Sequence, residues 1–175
     1  MKLINNSKIT IRSITLTAML LAILVVQEEV LVIIPNVQLT TLLIMVYAAI
    51  LPMSLLVILV SGYVLLDSLL MASLNPIYMI PMLVSWLLLA IFSKKLKNKQ
   101  LWVYVVFGFL FGFLYGWSFI PSKMLTLDVF YVWPYLISDL PFEVIMAVTN
   151  AIFILLLYKP LVALLQSLLD RDKSV

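Results

Sequence analysis

The sequence predicts an all-α integral membrane protein: one membrane domain over residues 1–175, folded as a six-transmembrane-helix bundle with its N- and C-termini cytoplasmic. Three observations predict it. Of the 175 residues, 65% are hydrophobic and only 11% charged, whereas a soluble domain carries about 25% charged residues, so most of the surface cannot face water. The apolar residues form long runs broken at Pro, Asn and Lys, with a mean hydropathy of +1.22. Ten of the 11 Lys and Arg residues fall into three groups that a single side of a membrane can hold. At about 20 apolar residues per crossing, the spans use up the chain and leave no room for a separate catalytic domain.

The first span follows Lys8 and Arg12 and runs over about residues 9–34, ending at Pro35-Asn36. It is longer than a signal-peptide core and has no clear small-x-small cleavage site after it, so a membrane span fits better than a cleaved leader. The second span, 38–51, stops at Pro52, and the third, 53–71, begins at once. Being short for a full crossing, the second must sit in a thinned region or borrow residues from its neighbours. The Asn75-Pro76 turn opens the fourth span, 77–93, with Pro81 near its start. KKLKNKQ separates it from the fifth, 101–120, which Pro121 closes. A polar loop, SKMLTLD, leads to the sixth, 132–158, followed by an amphipathic tail.

An even number of spans puts both termini on one side. Lys2, Lys8 and Arg12 precede span one, Lys94, Lys95, Lys97 and Lys99 separate spans four and five, and Lys159, Arg171 and Lys173 follow span six, leaving Lys123 alone opposite. These bases mark the cytoplasmic side. The acids lie the other way. Glu28, Glu29, Asp67, Asp128, Asp139 and Glu143 gather toward the outside, with Asp170 and Asp172 in the tail. Acids contribute little to topology, so their bias needs a separate cause.

Span six carries the sharpest signal. At 100° per residue, Asp139, Glu143, Met146 and Asn150 share one helix stripe. Carboxylates in a membrane helix face the bundle interior or a wet cavity; alternatively Asp139 and Glu143 cap a helix start with Pro141 in its first turn, and Asn150 makes an interhelical hydrogen bond. Tyr63 and Asp67 are again four apart on span three, and at least one of Gln27, Glu28 and Glu29 must point away from lipid. Gln38, Asn75, Tyr78, Trp117, Tyr131, Trp133 and Tyr135 join them at the outer end, although Tyr and Trp populate membrane interfaces whatever their role. The expected substrate-binding set is therefore Glu28, Glu29, Gln38, Tyr63, Asp67, Asn75, Tyr78, Trp133, Asp139, Glu143 and Asn150. Gly108, Gly112 and Gly116 lie on one face of span five and are expected to pack against a neighbouring helix. Ala18 and Ala22 form a second small pair on span one.

Several function classes are excluded or disfavoured. With 0 Cys and 0 His, thiolate and imidazole catalysis and the usual zinc sites are unavailable, so no enzyme, metal or cofactor is expected. No GxxxxGK[ST] loop is present to cradle ATP, and no pair of Gly-broken helices favours a stand-alone secondary transporter. Nothing points to nucleic acid.

The chain resembles a substrate-binding S component of an energy-coupling factor (ECF) vitamin transporter. The likeness rests on its size, six spans, inside termini, the Ala18-x3-Ala22 pair, and DLPFEVIMAVTN followed by LLLYKPL near the end. The resemblance implies that Ala18 and Ala22 dock onto the membrane scaffold (T) subunit and that two partner ATPases supply the energy. It further implies a vitamin-like ligand in the outer half and a place in the bacterial cytoplasmic membrane. The chain has less glycine than the folate and biotin binders of that family. An acid-rich mouth favours a neutral or cationic compound over an anionic one. Rod shape-determining membrane proteins of the MreD type, with similar size and span number but no ligand, are the structural alternative. A membrane enzyme would have to use Asp139 and Glu143 as its catalytic pair.

Overall fold

The computed structural model describes residues 11–72, 74–97, 99–127 and 129–171. Lys2, Lys8, Asp128, Asp172, Lys173 and the first two residues of the expected first span lie outside them, as do the side chains of Asp170 and Arg171. Among the described residues every regular element is a helix: α1 (Ile11–Leu31), α2 (Thr40–Ile50), α3 (Met53–Leu70), α4 (Pro76–Lys95), α5 (Leu101–Trp117), α6 (Ile120–Thr126) and α7 (Val129–Arg171). Five segments are long and apolar enough to cross a membrane: α1, α3, α4, α5 continued into α6, and α7. The chain is thus a multi-pass helical membrane protein.

The expected second span is α2, and at 11 residues it is about 16 Å long, half the roughly 30 Å hydrocarbon core. It tolerates this length because protein, not lipid, surrounds it. Every residue from Thr40 to Ala48 is buried, and α2 packs on α1, α3, α4 and α7. Its two ends lie at opposite ends of the bundle. At the start, Gln27 of α1 accepts from the Leu39 amide (2.9 Å) and donates to Thr40 Oγ1 (2.7 Å). At the finish, the Lys94 ammonium of α4 donates to the carbonyls of Ala48 and Leu51, supplying donors that the last turn of a helix lacks. Beside it, Tyr104 donates to the Leu96 carbonyl (2.8 Å) and stacks on Tyr158 of α7. Lys94, Lys95, Lys97 and Lys99 mark this base-rich end, and Glu28, Asp67, Asp139 and Glu143 lie toward the other, acid-rich end.

Two expected boundaries are corrected. Pro121 does not simply close span five: Ser118 and Phe119 keep helical backbone angles and Pro121 sits in the first turn of α6, where its missing N–H costs nothing. The expected polar loop is therefore largely helical, and its attachment to α4 explains why. Pro81 has no amide to give the Ile77 carbonyl one turn back, and Ser122 of α6 donates to that carbonyl instead (2.6 Å). Tyr78 and Thr126 add a hydroxyl pair at 3.2 Å. The helix that carries the expected last span, 132–158, runs on at both ends to cover 129–171, through Pro134, Pro141 and Pro160. Packing sustains it, because Met146, Ile154 and Tyr158 are followed at helical spacing by Leu161 and Leu165 against the same core. Its 43 residues make about 64 Å, more than the roughly 40–45 Å of a bilayer with its headgroups, so α7 projects beyond the membrane.

The most extensive contact pairs α5 with α7. An added Cβ at Gly108 would lie 2.1 Å from Ile154 Cδ1, and at Gly112 it would lie 2.5 Å from the backbone of Ala147. All glycine φ angles are negative, so close approach, not backbone freedom, is what these positions need. Gly108 also leaves its carbonyl open to Asn150 Nδ2 at 3.3 Å.

Candidate functional site

At the acid-rich end, α1, the α1–α2 connection, α5 and α7 enclose a cavity of about 350 Å³. Tyr115 and Phe119, in edge-to-face contact, form an aromatic wall, and Met146, Gly112 and Gly116 complete that side. Behind Tyr115 stands Trp86, fully buried and packed on Tyr63 and Phe111. Residues 34–38 of the α1–α2 connection close the opposite side; Asn36 turns the chain there with φ of 58°, a conformation that Asn tolerates better than most residues.

Three carboxylates line this space: Glu28, Asp139 and Glu143. Each is held by a donor on an aromatic side chain. The Tyr63 hydroxyl donates to Glu28 Oε2, which also accepts from Thr40 (3.4 Å). Trp117 Nε1 donates to Glu143 Oε2 at 3.0 Å. The Tyr135 hydroxyl donates to Asp139 Oδ2 at 3.1 Å, one helical turn away on α7. Glu143 is only 3% exposed, and its other oxygen lies where a Cβ on Gly116 would be, 2.3 Å away. Gly116 thus makes room for the carboxylate itself. Gln38 donates to the Met146 sulfur at 3.8 Å, fixing the connection to α7 across the cavity.

Comparison of the chain with protein-family models, curated proteins and solved structures finds no match.

Of the residues singled out in the sequence, Glu28, Gln38, Asp139 and Glu143 come together around the cavity. Tyr63 stands behind them, fully buried, as the donor to Glu28. Asp67 is half-buried on α3, and Glu29 points outward. The other four lie elsewhere. Asn75 caps α4, its Oδ1 accepting from the Ile77 amide at 3.0 Å. Tyr78 is tied to Thr126. Trp133 is 71% exposed on the outer surface of α7. Asn150 is buried in the α5–α7 seam with its Oδ1 unpaired. Ala18 and Ala22 are both exposed on the outer face of α1, and Ala22 lines a shallow apolar groove with Ile23, Val26, Val30 and Leu39.

Tyr115, Tyr135, Met146 and the 31–37 segment also line the cavity without having been assigned to the site. The Tyr135-x3-Asp139 spacing was a readable signal, since residues four apart face each other on a helix. Tyr115 had none: its place depends on how α5 rotates when its glycines seat on α7.

Among the described residues, no group of three or more acids is arranged to hold a metal ion. The cavity can instead orient a small organic molecule through fixed carboxylate acceptors and aromatic faces.

Proposed function

We propose that this chain is the substrate-capture (S) subunit of an ECF-type importer, binding a vitamin or related micronutrient in the cavity at the acid-rich end. It docks through α1 onto a membrane scaffold subunit, and two partner ATPases drive uptake; the chain itself carries no cofactor. The observation that carries this reading is the cavity lined by three fixed carboxylates, in a chain without a phosphate-binding loop. Carboxylates are too costly in a membrane bundle to be retained without a role, and a binding protein with no energy source of its own needs partners.

Six crossings follow if α2 counts as one, since its ends reach opposite ends of the bundle. The base-rich end then faces the cytoplasm of a bacterial cell, both termini lie there, and the cavity opens outward. The exposed Ala18 and Ala22 leave a shallow place on α1 where a partner helix can approach closely. Co-expression with scaffold and ATPase subunits tests the reading. Ala18→Trp with Ala22→Trp should abolish co-purification of the partners while a small molecule retained in native mass spectrometry stays bound. Undiminished co-purification would remove α1 as the docking face.

A further inference from the structure

We infer that the occupant of the cavity is a compact organic cation, a protonated amine, amidine or aminated nitrogen heterocycle, whose N–H groups bridge Glu28, Asp139 and Glu143. The inference rests on the capture reading above and specifies its ligand class.

Each of the three carboxylates is half-used. Tyr63, Tyr135 and Trp117 engage one oxygen apiece, Glu28 Oε2, Asp139 Oδ2 and Glu143 Oε2. Among the described residues no donor reaches the second oxygen of any of them. For Glu143 this matters most. The side chain is 97% buried by its 3% exposure, it lines the cavity, and its Oε1 faces Gly116, which offers no side chain at all. That oxygen is open to the cavity, so its acceptor capacity faces whatever molecule occupies the space.

Among the described residues no Lys or Arg lines the cavity. The outer lysine, Lys123, sits over the rings of Tyr78 and Tyr135 at 5.2 and 4.6 Å, so its charge stays at the rim beside Asp139. Among the described residues the acids are not gathered into a group that could ligate a metal ion. One molecule large enough to reach the separate walls can present N–H donors to all three carboxylates. A volume of about 350 Å³ lies at the low end of the roughly 300–1,000 Å³ usual for small-molecule sites, which keeps that molecule compact. Tyr115, Phe119 and Tyr135 present aromatic rings to the same space, and ring faces attract cations as carboxylates do. Both kinds of wall select the same sign of charge.

The test uses the full chain in detergent, with isothermal titration and thermal unfolding against agmatine, benzamidine and thiamine as cationic probes and pantothenate and biotin as anionic ones. At least one cationic probe should bind and raise the melting temperature, and Glu28→Gln, Asp139→Asn and Glu143→Gln should each weaken it about tenfold or more, with melting of the unliganded variants showing that they fold. Binding of an anionic probe alone would overturn the charge assignment and leave the capture reading standing. Cation binding indifferent to all three variants would also overturn it, by placing the ligand elsewhere. If no probe binds and native mass spectrometry finds no small molecule retained, both the assignment and the capture reading fall.

Discussion

The α5–α7 seam allows a graded prediction from three glycines on two helices. At Gly112 an added methyl would lie 2.5 Å from Ala147 Cα, 2.6 Å from its amide nitrogen and 2.9 Å from its Cβ. Normal carbon contacts are 3.5–4.0 Å, so the two backbones would have to separate by about 1 Å. Overpacking of this kind costs up to about 3 kcal/mol, and alanine's better helix propensity returns about 1 kcal/mol. The net is about 2 kcal/mol. For a chain of this size that corresponds to a fall of about 4–8 °C in Tm, measured by thermal unfolding in detergent. At Gly62 the same methyl meets only Leu21 Cδ2 at 3.0 Å, the movable end of a side chain, so Gly62→Ala should leave Tm unchanged or raise it by a few degrees. At Gly116 it meets Glu143 Oε1, so Gly116→Ala should disturb ligand binding more than folding. If Gly112→Ala melts like the parent, or Gly62→Ala falls as far as Gly112→Ala, close backbone approach is not what holds these helices together.

Two further expectations concern backbone carbonyls inside the bundle. Ser122→Ala removes the donor to the Ile77 carbonyl and should cost about 1–3 kcal/mol, with faster hydrogen exchange in α6; unchanged exchange would show that α6 is held by other contacts. Lys94→Met strips the donor from the end of α2 and should lower Tm, whereas Lys95→Met, whose ammonium rests over the Phe92 ring at 5.6 Å, should not. Equal effects of the two would mean that only total charge matters.

The membrane class and most helix positions were legible because they follow from composition and breakers. Pro52 immediately precedes α3, and Asn75-Pro76 caps and begins α4. The helical connection α6 was hidden because what stabilises it, the Ile77 carbonyl vacated by Pro81, lies 45 residues away. Continuation of α7 past Pro160 was hidden for a similar reason, since packing against the core overrides the local break. In the site, four-residue spacing placed Asp139 and Glu143 on one face, and both line the cavity. Among Gln27, Glu28 and Glu29 the sequence left the choice open, and the rotation of α1 makes it. Gln27 turns to α2, Glu28 to Tyr63 and the cavity, and Glu29 outward. Asn75 and Tyr78 sit near span ends as a ligand contact would, yet Asn75 is taken up by the Ile77 amide two residues on and Tyr78 by Thr126 of α6.

The burial of α2 constrains how the molecule is made. During synthesis α2 emerges before α3 and α4, yet it is too short to cross lipid alone, and the ammonium that completes its last turn belongs to Lys94, 43 residues beyond Leu51. Until α4 arrives, that turn has no donor for its carbonyls in a medium that offers none. Insertion one helix at a time would strand it. Its walls include α7 as well as α1, α3 and α4, so α2 should wait in water or in the insertion machinery until the last helix has been made.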